Sequence, residues 1–176
     1  MKKYFISTII FVLLSFAIAF KIYPTPYREW VDYVSAYYEV DPLFVYAIIQ
    51  TESNFDKNAL SRSGAKGLMQ IMDKTGKWGA EECGYENFKP HMLFDPETNI
   101  HIGTWYISKL IRQYEGNLDT ALIAYNAGSG NVAKWKANTK YSKDGKTIKN
   151  IPFKETEEYV KKVQIHYKIY KLLYVK

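Results

Sequence analysis

Beyond its first twenty residues, the apolar residues of each long segment in this chain recur at helical spacing. None sustains the residue-by-residue alternation of a half-buried strand. Trp30, Val31, Val34 and Tyr38 share one stripe, as do Val45, Ile48, Ile49 and Glu52, and then Tyr159, Val160, Val163, Tyr167, Tyr170 and Tyr174. The punctuation agrees with this reading. Asp41-Pro42 and Asp95-Pro96 each set an N-cap carboxylate before a proline at the first helical position, while Gly116 and Gly128 stand where two helices should stop. With no internal repeat and no heptads, such helices can hide their stripes only against one another, so the fold class is mainly α, a compact helical domain. Asn54 to Lys66 is rich in Asn, Ser and Gly and reads as a loop. Gly67 to Met72 is too short for an independent helix and must lean on its neighbours. Between Ala137 and Asn150 the chain turns polar around Lys143-Asp-Gly145, which predicts an exposed loop or small hairpin.

The first twenty residues are of another kind. Met1-Lys2-Lys3 and then an almost wholly apolar run from Tyr4 to Phe20 form an export signal. Ala17-Ile18-Ala19 offers a cleavage site, yet the run is about long enough to span a bilayer, and the balance favours an uncleaved anchor. The expected division is therefore a signal peptide or membrane anchor over 1–20 and one folded domain over 21–176, joined by the extended Tyr23-Pro24-Thr25-Pro26. Lys2 and Lys3 would stay in the cytoplasm, and everything from Lys21 onward would lie outside the membrane. The net charge of +6 suits anionic surroundings such as headgroups or wall polymers, and export argues against nucleic acid. A single cysteine, Cys83, rules out a disulfide within the chain. The histidines, His91, His101 and His166, lack metal-ligand spacing, so neither a metal nor another cofactor is expected.

Glu52 is the only acid in the segment Pro42 to Ser53, and it sits on an apolar stripe. An ionised carboxylate there is costly, so the group is either paired with a cation or has its pKa raised into the range of a general acid. Glycoside cleavage usually uses two carboxylates. Asp56, in a polar loop, and Asp73, at the end of a short amphipathic segment, make weak second partners, and Glu155 is equally explained by the helix dipole. One acid suffices when the substrate supplies the attacking group. Spacing alone leaves the buried ion pair open as well.

Sequence context goes further. Ala47-Ile-Ile-Gln-Thr-Glu-Ser-Asn-Phe55, Ser61-Arg-Ser-Gly-Ala-Lys-Gly-Leu-Met-Gln70, Ala124-Tyr-Asn126 and Ile151-Pro-Phe-Lys-Glu-Thr156 with Tyr159 follow one another in order. Together they resemble the motifs of the lytic transglycosylases related to the soluble enzyme and to goose-type lysozyme. The similarity runs from about Tyr23 to Val163 and takes in Phe94-Asp-Pro-Glu-Thr-Asn-Ile100 and Gly103. It implies a lysozyme-like fold and cleavage of peptidoglycan glycan strands by Glu52 acting alone as acid and base, with the C6 hydroxyl of N-acetylmuramic acid attacking to leave a 1,6-anhydro end. It also implies a groove lined by Ser61, Met69, Gln70, Tyr125, Asn126 and Glu155, with Tyr159 orienting Glu52. Taken singly, Met69 reads as core filler, Tyr159 as packing and Asn126 as a cap. The sequence departs from the pattern at Asp73, where proline is usual, and residues 76–92 match no motif. A hydrolytic muramidase of the same fold and a non-catalytic wall-binding assembly factor are the rival readings.

Overall fold

The computed structural model describes the backbone of residues 2–175 and the side chains of residues 8–175 apart from 10 and 12. Eight α-helices follow in order among the described residues: α1 Lys2–Ile22, α2 Arg28–Tyr38, α3 Pro42–Glu52, α4 Asp73–Glu82, α5 Pro96–Gln113, α6 Leu118–Ala127, α7 Ser129–Lys136 and α8 Lys154–Tyr174. A single 3₁₀ turn, Pro90–Phe94, precedes α5. Within the described residues there is no strand, only isolated bridges joining Leu60 to Lys66 and Lys66 to Ile71.

Both Asp-Pro signals perform as expected. Asp41 Oδ1 accepts the Leu43 N–H at 2.8 Å, and Asp95 Oδ2 accepts the Thr98 N–H at 2.9 Å and its hydroxyl at 2.8 Å. Helices α4 and α7 lie outside the segments that apolar spacing marks. Two glycines depress the helical propensity of α4, which forms because Gly76 seats on Phe88 and Leu93 and Gly79 on Ile102 and Trp105. Asp73 accordingly opens a helix instead of ending a segment, and there it pairs with Lys66 at 2.5 Å. The 137–150 stretch forms no hairpin ladder; Asp144 closes it as a turn by accepting the Lys146 and Thr147 N–H groups at 2.9 and 2.8 Å.

α3 is the centre of the molecule. Phe44 to Ile49 are all buried, four of them completely, so the helix is enclosed on every side by α8, its most extensive partner, and by α2. On the other side α5 packs against α2, α4 and α6. Burying that much aliphatic surface fixes where α3 ends, and its last residue is Glu52.

The segment joining α1 to α2 is strapped down by phenols. Tyr174 donates to Tyr23 O at 2.6 Å, Tyr170 to Pro24 O at 3.0 Å and Tyr46 to Pro26 O at 3.2 Å. α1 runs on to Ile22, two residues past the expected boundary, with Phe11, Leu13, Leu14 and Ile18 exposed. Among the described residues no helix is long and apolar enough to cross a membrane. Met1 and the side chains of Lys2 and Lys3, on which the anchor expectation partly rests, lie outside the described residues.

Candidate active site

Glu52 is the last residue of α3, and Ser53 just after it meets a short backbone rail, Lys66 to Gln70, whose carbonyls are held by side chains. Lys66 O accepts from Asn99 Nδ2 at 2.9 Å, Gly67 O from Gln70 Nε2 at 2.9 Å, Leu68 O from Ser53 Oγ at 2.8 Å and Met69 O from the Tyr125 hydroxyl at 2.8 Å. Asn99, fully buried on α5, also takes the Met69 N–H at 2.7 Å and donates to Leu93 O at 2.7 Å. A loop that makes few backbone ladder bonds needs such partners if it is to be buried. Gly67 is obligatory here: its φ is +73°, and an added Cβ would stand 2.1 Å from Leu93 O and 2.4 Å from Asn99 Nδ2.

The rail ends in strain. Gln70 takes a left-handed φ of +50°, a conformation non-glycine residues hold only when their surroundings impose it. Its Nε2 is spent on Ala59 O and Gly67 O, at 3.1 and 2.9 Å, which leaves Oε1 without a donor among the described residues. Gln70, Met72, Thr75, Tyr106, Tyr125 and Asn126 wall a cleft of about 260 Å³. No carboxylate lines it.

Glu52 is not among the residues that wall the cleft, but it neighbours Tyr125, which is one of them. Part of the residue is open to solvent, but its carboxyl is enclosed, and burial raises its pKa from 4.5 to about 7, against a smaller downward pull from the Tyr159 hydroxyl. The phenols of Tyr125 and Tyr159 are pushed up by burial and then by the Glu52 charge, so both stay protonated donors. Tyr159 is buried, and its hydroxyl, although beside Glu52, closes no hydrogen bond of normal geometry. Tyr159→Phe is therefore expected to leave stability nearly unchanged and to move the Glu52 titration upward. Carboxyl NMR across pH 4 to 9 checks this, and a downward move would refute the orienting role.

The other expected groove residues divide. Tyr125 and Asn126 join Gln70 at the cleft, and Asn126 Oδ1 accepts the Thr156 hydroxyl at 2.8 Å, tying the end of α6 to the start of α8. Met69 has no exposed surface; its side chain packs on Gly103, where a Cβ would sit 2.3 Å from its sulfur, so only its backbone serves the site. Ser61 Oγ accepts the Ala65 N–H at 2.9 Å and closes the preceding turn away from the cleft wall. Glu155 is exposed in the first turn of α8, outside that wall. Asn99, Ser53 and Thr156 were inside the recognised strings but gave no chemical signal of their own, because their work is to hold backbone or another side chain. No three His, Cys, Asp or Glu side chains among the described residues converge as a metal site would require.

Residues 30–148 match the model of the transglycosylase SLT domain. The chain is 35% identical over 143 residues to the soluble lytic murein transglycosylase of Escherichia coli K12, covering 80% of this chain and 22% of that protein. It is 39% identical over 124 residues to the membrane-bound lytic murein transglycosylase C of Edwardsiella ictaluri, covering 61% and 33%. An inactive glutamate-to-glutamine mutant of the lytic transglycosylase Slt of Pseudomonas aeruginosa superposes with a TM-score of 0.76 at 33% identity, over 85% of this chain and 24% of that one. The chain thus spans about a quarter of the length of the soluble relatives it matches. With the family model matching more than half of the chain and its helical fold superposing on theirs, it belongs to the transglycosylase SLT domain family, the lysozyme-like lytic transglycosylases.

Proposed function

We propose that the domain cleaves peptidoglycan glycan strands between N-acetylmuramic acid and N-acetylglucosamine as a lytic transglycosylase, with Glu52 as its single acid and base. The observation that carries this reading is a carboxyl with a pKa of about 7 beside the Tyr125 of a cleft wall that holds no second carboxylate. Protonated Glu52 gives its proton to the bridging oxygen as the bond to C1 breaks. The resulting carboxylate takes the proton of the muramic C6 hydroxyl as that oxygen bonds to C1, which closes the 1,6-anhydro ring and restores the acid. No water is consumed. Gln70 Oε1 and the Asn126 amide offer hydrogen bonds to hydroxyl and acetamido groups, and the Tyr125 ring offers a flat face. Ser61 and Met69 serve through the backbone they shape, Glu155 lies outside the cleft wall, and Tyr159 orients the acid. The inactive glutamate-to-glutamine relative is consistent with such a role for a glutamate.

Residues 1–20 are proposed as a signal peptide or anchor that places the domain, 21–176, outside the cytoplasmic membrane against its wall substrate. The exposed apolar side chains of α1 and the membrane-bound relative support this. Digestion of purified sacculi followed by mass spectrometry tests the reaction. Products lighter by one water than hydrolysed muropeptides are expected; hydrated products would indicate a muramidase, and no release at all would indicate a wall-binding factor.

A further inference from the structure

Helix α8 carries a second apolar stripe, on the side turned away from the core. Its buried face is Thr156, Tyr159, Val160, Val163 and Tyr170. Ile165, Leu172 and Val175 recur at helical spacing on the opposite face, and they are 55, 76 and 58% exposed. Leu172 is the most exposed large apolar side chain among the described residues. One such leucine would need no explanation, but three in line behind a well-packed core face do. α1 leaves the domain at the same end of α8. Phe20 meets Tyr174 edge-on at 5.4 Å and Tyr23 meets Tyr170 edge-on at 5.3 Å, while Ile18, Phe20 and Ile22 are themselves exposed. Two exposed apolar surfaces therefore come together at the C-terminal end of α8.

The charge on this half of α8 has one sign. From Lys161 to Lys176 the sequence holds five lysines and no acid. The acids of α8 lie in its first turns, where Glu158 pairs with Lys154 and Glu157 with Lys161. Lys162, Lys168 and Lys171 have no ion-pair partner among the described residues, and Lys171 Nζ lies 5.0 Å over the Tyr167 ring. Two acids of neighbouring elements reach this half of α8, and both are engaged: Asp41 accepts the Tyr167 hydroxyl and Asp119 the Gln164 amide, each at 2.6 Å. Helical spacing puts Lys168 within the apolar stripe, with Lys162 on one flank and Lys171 on the other. Aliphatic side chains among free ammonium groups suit the boundary of an anionic bilayer, where hydrocarbon and phosphate lie a few ångströms apart. Continuity with the apolar surface of α1 favours lipid over a groove on another protein.

We propose that the outer face of the C-terminal half of α8 docks the folded domain on an anionic lipid surface, Leu172 and Val175 entering the acyl boundary and Lys162, Lys168 and Lys171 meeting headgroup phosphates. Thr156, which ties α8 to the cleft residue Asn126, lies about 24 Å from Leu172 along the helix. Docking at the far end keeps the cleft clear of lipid. The proposal rests on the extracytoplasmic placement above, not on the transglycosylase reading. The test places a nitroxide at position 172 of the full chain, as Leu172→Cys in a Cys83→Ser background, with circular dichroism to confirm folding. On vesicles containing phosphatidylglycerol, the ratio of collisions with oxygen to collisions with a water-soluble nickel chelate is expected to rise about tenfold, while a nitroxide at Glu158→Cys stays in water. Adding Lys168→Gln and Lys171→Gln should reverse most of that rise. A ratio at position 172 that vesicles leave unchanged overturns the proposal, as does an equal rise on neutral phosphatidylcholine vesicles, which would assign the contact to α1 alone. The measurement needs neither turnover nor export, so its failure is distinct from failure of the catalytic or the placement reading.

Discussion

Glu52→Gln is expected to abolish glycan cleavage and, above pH 7, to make the protein harder to unfold. Glutamine keeps the shape of the side chain but has no proton to give or take. The stability effect follows from the direction of the pKa shift. Burial raises the folded-state value from 4.5 to about 7, so between those pH values the folded chain holds a proton that the unfolded chain has released. Stability from this group is then fully present below pH 4.5, falls as pH rises towards 7, and levels off above it. At about 1.4 kcal/mol per pH unit, the total penalty is about 3 kcal/mol. Chemical denaturation at pH 4 and pH 8 should therefore show the variant nearly equal to the parent at the lower pH and more stable at the higher. Equal stability at both would mean that Glu52 titrates like a solvated carboxylate. The same titration predicts that the activity of the parent falls as pH rises through 7, since the general acid must enter protonated.

Asn99→Ala is expected to cost about 4 kcal/mol and most of the activity, although Asn99 is not part of the cleft wall. The substitution leaves the Met69 N–H and the Lys66 and Leu93 carbonyls without their Asn99 partner. Lys66 O keeps the Ile71 N–H at 3.0 Å, but the buried Met69 N–H and Leu93 O are each left with a desolvation penalty of about 1 to 3 kcal/mol. Urea titration measures the first effect, and turnover of the folded fraction on sacculi the second. A variant that lost stability but kept full turnover would show that the rail need not be held for the site to work.

The contrast between these two residues explains what the sequence made legible. Glu52 announces itself because a carboxylate among Val45, Ile48 and Ile49 breaks the chemistry of its stripe. The capped helices α3 and α5 were readable from Asp-Pro pairs, whose effect is local. Helix α4 was not, because its glycines argue against a helix and only contact with Leu93, Ile102 and Trp105 outweighs them. Asn99 and Ser53 passed as ordinary polar residues of helices, since the rail carbonyls they satisfy lie 33 and 15 residues away in sequence. Met69 shows a finer division: its motif position points to the site, yet its side chain belongs to the core and only its amide and carbonyl take part.

The rail itself has a dynamic consequence. Asn99 of α5, Tyr125 of α6 and Ser53, the residue that caps the end of α3, hold its Lys66, Met69 and Leu68 carbonyls, so none of these can be released without disturbing a helix of the core or its cap. Such a segment has no low-energy opening of its own. Hydrogen exchange at the Met69 amide should proceed only through global unfolding, as slowly as at the centre of α3, although secondary structure alone would class the segment as a loop. On this account the wall of the cleft is rigid before any glycan arrives, and the strand must fit itself to a surface that does not close around it.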